Sequence, residues 1–573
     1  MNASRRIDQI RASIEEGDGH MGAETEGIVT HPIDLTVVHS IAGQQPTQAV
    51  KRWVAALAGT SAAEAATSIT PDVPETTVEA NPPPMHSPRS TAASQRLMAI
   101  LVDAALQSLH PADAPRPQLL HGAAWRPPGI TVADTSQAAD VFKRLYYEFQ
   151  IAQHGDKVGA AAGDHLNISA PWLGHPGAGE ISRKMVEMTA RMRLIGGALS
   201  VGLSAASPLY FGADRGGGEA RYRTTLTPWE SARLGHVWPG RTIMDVSGMY
   251  RDPVSFRRTM ARFAENGTLL SGRDVWLMAR AQPGPHDPGP SFDSLCASLG
   301  IELSTPDGLG RARELLHAAF HYGPRDDRNP HRLDPAWQHI EAWRQARLVR
   351  VIRAPRNRME LRTLETPPAF GPESPGGDWQ TPYEYIKALH TFFELLFIYL
   401  SETPDLVQDL EYGEVELQAA KSNEQAVLLA GMDAQQRWLP SMHGVSARQA
   451  LQRLLDAIQP LADGLDRSED LALIRQVASG ESLPPAARLR AELGQWYGID
   501  AQLRQNARIL PHDSYPRMLL RRSRAAMALE VELIEADLPS MPAADQTYLT
   551  GLLALVKSAR AGIVSDSLSQ AQP

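Results

Sequence analysis

Three short segments, far apart in the chain, alternate polar and apolar residues: Gly22-Ala-Glu-Thr-Glu26, His165-Leu-Asn-Ile-Ser169 and Arg358-Met-Glu-Leu-Arg362. In an extended strand residues i and i+2 lie on one side. Glu24 and Glu26 therefore share a face. His165, Asn167 and Ser169 share a face opposite Leu166 and Ile168, and Glu360 and Arg362 share one opposite Met359 and Leu361. A sheet built from these strands presents carboxylates, an imidazole and a guanidinium to one cavity. That inventory suits divalent metal ions and a phosphorylated, anionic substrate, and on that ground the chain reads as an enzyme.

The rest of the chain narrows the class. At 573 residues it is long enough for two or three regions. Its 43% hydrophobic and 21% charged residues are ordinary for a globular protein. The net charge is -9 and no Lys/Arg-rich run stands out, which argues against a nucleic-acid partner. Cys296 is the one cysteine, so an intrachain disulfide and zinc–cysteine clusters are excluded. Its setting, Ser-Leu-Cys-Ala-Ser, holds nothing to activate a thiolate and reads as packing. Arg5-Arg6 is not followed by an apolar stretch, so no export signal is read. The most apolar run, Thr391 to Leu400, is too short for a bilayer and carries Glu394. These features predict a cytoplasmic protein without a membrane partner.

Along the chain, residues 1–20 read as a loosely ordered N-terminus. Extended segments run from Glu24 to Thr30 and from Ile33 to Val38, and Thr76 to Ala80 is a short strand stopped by Pro82-Pro83-Pro84. Helices are predicted over 46–58, over 90–109 with Ser90 or Thr91 as N-cap, and over about 180–205. Pro/Gly-rich loops occupy 284–290, 322–335 and 367–378. From Thr381 the pattern is helical, with Tyr383–Ser401, Ala447–Leu461, Pro485–Tyr497 and Arg517–Asp537 as examples. The division read from this is a core over 21–378, a helical region over 379–562 and a flexible tail over 563–573.

A further acidic group, Asp72, Glu75 and Glu79, lies before and within the short strand, with Thr77 and Glu79 on one face. With Glu24, Glu26, His165 and Glu360 it supplies hard ligands for two or three Mg2+ ions. Glu-x-Glu on a strand is by itself most simply a solvated face; the accompanying His165 and Arg362 move the balance. The loop from Ser207 to Arg215 and Gly216-Gly217-Gly218 have backbone amides suited to a phosphate, although a surface loop explains them equally. Walker, dinucleotide, His-Glu-x-x-His and nucleophile-elbow motifs do not occur.

In their order along the chain these segments resemble the glutamate–cysteine ligase family of the bacterial type. Gly22–Glu26 resembles its Gly-x-Glu-x-Glu strand, Asp72–Glu79 its Asp-x-x-Glu-x-x-x-Glu segment, and His165–Ser169 its His-x-Asn-x-Ser strand. Ser204–Pro208 resembles its Ala-Ser-Pro turn, Ser231–Gly235 an arginine-bearing loop, and Arg358–Glu365 its Glu-x-Arg-x-Leu-Asp/Glu strand, with Glu365 where Asp is commoner. The resemblance implies an α+β fold: a glutamine synthetase-like, curved, mostly antiparallel sheet forming a funnel, backed by helices, with a helical C-terminal region. It implies Glu24, Glu26, Asp72, Glu79, His165 and Glu360 as metal ligands. Arg362, and also Arg233 and Arg353, would hold phosphate or the acceptor's carboxylates, with Asn167 and Ser169 beside the nucleotide. It further implies ATP with Mg2+ or Mn2+. A glutamate γ-carboxylate would become an acyl phosphate and then be joined to the amine of cysteine, as in glutathione biosynthesis. The same chemistry on another acid–amine pair, and a non-catalytic relative, are the alternatives. The amine pocket and the oligomeric state are not read from the sequence.

Overall fold

The structure is a computed structural model that describes residues 3–31, 35, 37–71, 77–110, 116–121, 124–125, 162–173, 183–214, 221–237, 252, 254–255, 259, 277–280, 292–322, 326–343, 358–374, 378–402, 413–438, 443–500 and 506–570. Its strands in chain order are β1 (Met21–Thr30), β2 (Ile69–Pro71), β3 (Thr77–Ala80), β4 (Gln118–Leu120), β5 (Ala124–Trp125), β6 (Asp164–Ser169), β7 (Leu209–Asp214), β8 (Arg221–Leu226), β9 (Leu277–Arg280), β10 (Arg358–Leu361), β11 (Gln435–Trp438), β12 (His443–Ser446) and β13 (Arg508–Ile509). Seven of them form the main sheet in the order β2-β3-β1-β6-β10-β9, with β4 also paired to β1. Every pairing in that sheet is antiparallel. With the helices against it, this is an α+β fold.

The alternation read from the sequence sets the two faces. Leu166, Ile168, Met359 and Leu361 point into an apolar cluster shared with Phe392, Phe397, Leu451 and Leu455 of the helices Pro382–Glu402 and Ala447–Gly464. A second cluster places Val29, Val78 and Ala80 of the same sheet against the helices Pro88–Ser108 and Ala543–Gln570. Burial of such side chains stabilises by about 1.5–3 kcal/mol each, so this face fixes the register. The opposite face changes character along β1. Gly22, Glu24 and Glu26 make it polar, whereas Ile28 joins Leu209, Phe211 and Leu226 under the four-stranded sheet β13-β8-β7-β5.

Several local expectations change. The polar N-terminus forms a helix, Ala3–Glu15, because Ile10 and Ile14 are one turn apart and both buried in the first cluster. The helix predicted over 90–109 starts at Pro88, and its N-cap is Ser87, whose Oγ accepts from the Ser90 amide at 3.1 Å. Proline at N1 has no amide to satisfy, which moves the start upstream of Ser90. The helix of residues 180–205 is Arg183–Arg191 and Gly197–Ser204 joined by a π-helical turn. The hairpin β11–β12 and strand β13 interrupt the helical C-terminal region, and its last helix runs to Gln570.

Between β9 and β10 the chain makes a small helical module with its own core of Phe292, Leu295, Cys296, Leu315, Trp337 and Ile340. Cys296 is fully buried there, and burial pushes its thiol up to about 11, in keeping with a packing role. The 284–290 loop lies outside the described residues. No described helix is long and apolar enough to cross a membrane.

Candidate active site

Cross-strand register assembles the polar face. Glu24 pairs with His165, Gly22 and Glu360 flank Asn167, and Arg358 pairs with Ser169. On the far side of β1, Glu79 pairs with Glu26. Residues directly opposite in neighbouring strands bring their side chains within contact distance. Accordingly Glu24, His165 and Glu360 each offer a ligand atom within 4.8 Å of the others.

His165 is the hub. Its Nδ1 lies 3.0 Å from Glu24 Oε2 and 3.7 Å from Glu360 Oε1, and its Nε2 lies 3.8 Å from Glu26 Oε1. Burial, aided by the Arg362 charge, pushes the imidazole pKa down, against the pull of Glu24 and Glu360. The ring is therefore neutral near pH 7. A neutral ring that donates from Nδ1 to Glu24 keeps a lone pair on Nε2, which is buried and has no hydrogen-bond partner among the described residues. The buried Oδ1 of Asn167 likewise has none, while its Nδ2 donates to Glu24 Oε1 at 3.2 Å. Carboxylates around one imidazole, with orphaned acceptor atoms among them, fit a divalent cation.

Each carboxylate is braced. Glu26 Oε2 accepts from the Gly163 amide at 2.6 Å. Glu79 Oε1 accepts from Asn81 Nδ2 at 2.9 Å. Arg362 forms an ion pair with fully buried Glu360 and is itself partly exposed. Ser169 is on the face at its edge, with its Oγ donating to the His20 carbonyl at 3.2 Å. Asp72, Glu75 and Arg353 lie outside the described residues.

Arg233 stands one layer behind. Its Nη1 and Nη2 each donate to the Arg362 carbonyl at 3.2 Å, and a side chain at Gly163 would collide with its guanidinium. It thus holds the backbone that carries Arg362. Beside it Glu365 is buried, accepting from the Ala206 amide at 2.7 Å and from Ser231 Oγ. Burial pushes the Glu365 carboxyl up to about 7 despite Arg233 and these donors. The segments Ser204–Pro208, Ser231–Gly235 and Arg358–Glu365, remote in sequence, meet at this one carboxyl.

Sequence reasoning missed Asp164. It points to the apolar side, accepts from Thr366 Oγ1 at 2.6 Å, and is raised in pKa, chiefly by burial. The available signal was its place in the strand: next to His165, alternation puts an acid on the core face, where a hydroxyl partner is required.

The chain matches solved structures in fold. Glutamate–cysteine ligase from Francisella tularensis, in complex with AMP, aligns with a TM-score of 0.55 at 13% identity, over 96% of this chain and 94% of that one. A bifunctional glutathione synthetase from Pasteurella multocida aligns with a TM-score of 0.52 at 12% identity, over 94% of this chain. The chain spans 57% of that second protein's length. No family model matches the sequence, and no curated protein matches it. At these identities the likeness is one of fold.

Proposed function

We propose that the chain is an ATP-dependent carboxylate–amine ligase. On this reading it joins the γ-carboxylate of glutamate to an amine, cysteine first among candidates, in the cytoplasm, releasing ADP and phosphate. The observation that carries the reading is the group Glu24, His165 and Glu360 within 4.8 Å on one sheet face, with Arg362 paired to Glu360. The fold shared with proteins named as a glutamate–cysteine ligase and a glutathione synthetase supports it.

The reading assigns these roles. Glu24, Glu26, Glu360 and His165 would hold Mg2+ or Mn2+, with Glu79 and Asp72 completing a second or third site. The bound ions would neutralise charge on the β- and γ-phosphates. Arg362 would stabilise negative charge on the transferred phosphoryl group. Arg233 would orient Arg362 through its carbonyl, and Asn167, Ser169 and Arg353 would contact nucleotide or acceptor. The sheet's polar face would be the wall of a glutamine synthetase-like funnel. Residues 21–378 would be the catalytic unit, with 379–562 supporting it.

The test is ADP release from the purified chain with Mg-ATP, glutamate and a panel of amines including cysteine, with product mass read in the same tubes. Release that requires glutamate and cysteine and yields the γ-glutamylcysteine mass supports the full reading. Release with another amine keeps the ligase and replaces the acceptor. No release with any pair, from folded protein, overturns it.

A further inference from the structure

A second cavity lies away from the polar face. It is a cleft of about 870 Å3 between the helix Ala3–Glu15, the turn entering Pro88–Ser108, the loop after Ala447–Gly464 and the turn entering Ala543–Gln570. Glu24, His165 and Glu360 do not line it. Most of its charges are sorted by depth. Arg89 and Arg467 are half-buried and His86 is buried, whereas Glu15, Asp463, Asp466 and Glu469 are exposed around them, and Arg11, the most exposed cation, is paired with Asp466 at 3.1 Å.

The deep cations are held differently. Both ring nitrogens of His86 are taken, Nδ1 by Asp545 at 2.6 Å and Nε2 by the Gly17 carbonyl at 2.7 Å. Arg89 is taken by Asp470 and Ser540. Arg467 gives only its Nε, to the fully buried Glu394 at 3.3 Å. Its Nη1 and Nη2 have no hydrogen-bond partner among the described residues. A guanidinium anchored through Nε presents a two-pronged donor to a carboxylate.

We propose that this cleft binds a short zwitterionic peptide, its carboxylate on the Nη groups of Arg467 and its ammonium among the outer carboxylates Glu15, Asp463 and Glu469. The exposed acids disfavour a polyanion such as a nucleotide, because like charges repel at the entrance. The size disfavours a single free amino acid, because the cleft is in the range that drug-sized ligands fill. The site also has a structural link to the sheet. Glu394, which anchors Arg467, lies 2.7 Å from His20 Nε2, and the His20 carbonyl accepts from the Ser169 amide at 2.8 Å. The proposal stands apart from the ligase reading.

The test is calorimetric titration of the full chain with trialanine, N-acetyl-trialanine and trialanine amide at millimolar concentration. The expected result is that trialanine binds and that each blocked peptide binds about tenfold more weakly or worse. Arg467→Lys, which keeps a charge beside Glu394 but loses the fork, should weaken trialanine about tenfold, and Glu360→Gln should not change it. Should Arg467→Lys fail to fold, the surface pair Asp463→Asn and Glu469→Gln is measured in its place, and it should bring trialanine to the level of the acetylated peptide. Equal binding of all three peptides overturns the proposal. So does absence of binding, or a loss caused by Glu360→Gln and not by the cleft variants.

Discussion

At the scale of single residues, the site turns on one buried imidazole and one ion pair to a buried carboxylate. His165 is held neutral by burial and Arg362, and Glu360 is fully buried against Arg362. Replacing Glu360 by Gln removes a proposed ligand while preserving volume. We expect kcat/KM to fall about a hundredfold or more, roughly 3 kcal/mol of barrier, with an unfolding midpoint close to the parent's. Steady-state rates and a circular-dichroism melt check both, and near-normal turnover would remove Glu360 from the site. Glu365 gives a pH signature. Its pKa, raised from 4.5 to about 7 by burial, means that the folded state binds the extra proton between those values. The resulting stability is fully present below pH 4.5 and declines as pH rises through about 7. Glu365→Gln keeps an acceptor for the Ala206 amide and should flatten that part of the stability–pH curve. Denaturant unfolding from acid to mildly alkaline pH measures the slope, and an unchanged slope would rule Glu365 out as its source.

At the scale of elements, buried charge ties helices to one another. Arg96 of the helix Pro88–Ser108 makes a two-pronged pair with Glu530 of Ser514–Asp537, both bonds at 2.9 Å, and Glu530 also accepts from the Tyr383 amide at 2.8 Å. Glu530→Ala should cost about 3–5 kcal/mol, because it strands a buried guanidinium. The double change Arg96→Met with Glu530→Leu should cost less than that single change. Urea unfolding of the set checks the ordering, and independent, additive losses would contradict it. The element scale also marks the reach of the sequence. Alternation in three strands was enough to show which residues share a face within each, because period-two patterning is local; the pairing that brings Glu24, His165 and Glu360 together is not in the pattern. The helix Ala3–Glu15 and the use of Arg233 as a backbone brace were not legible, because each depends on a partner remote in the chain: Ile10 on the cluster around Phe392, and Arg233 on the Arg362 and Leu364 carbonyls. The cap at Ser87 is different: it is a local bond to the Ser90 amide, signalled by proline at the next position.

At the scale of the whole molecule, the proposed ions should bind the assembled sheet and not the unfolded chain. Mg2+ or Mn2+ should then raise the unfolding midpoint as concentration exceeds Kd, about 2.7 kcal/mol at a hundredfold excess. Glu24→Gln and Glu360→Gln should each blunt that shift, and EDTA should abolish turnover. Thermal scans with and without metal read the first effect, and full activity in EDTA would end the metal mechanism. The α+β class and the helical character beyond Thr381 were visible in the sequence. The order of the sheet was not, because β1, β6 and β10 pair across long intervening segments that leave no local trace.

That spacing has a consequence in time. His165 meets Glu24 across 141 positions, and Thr25 meets Thr366 across 341. Contacts so distant along the chain carry a large loop-closure cost and form slowly. During synthesis β1 can pair with β3, β4 and β6 as they emerge, but the other edge of β6 must wait unpaired until β10 has left the ribosome. The polar face is therefore completed late: on refolding, recovery of the proposed activity should trail the return of helical signal from segments such as Pro485–Tyr497 and Ala447–Gly464, which are built from near neighbours.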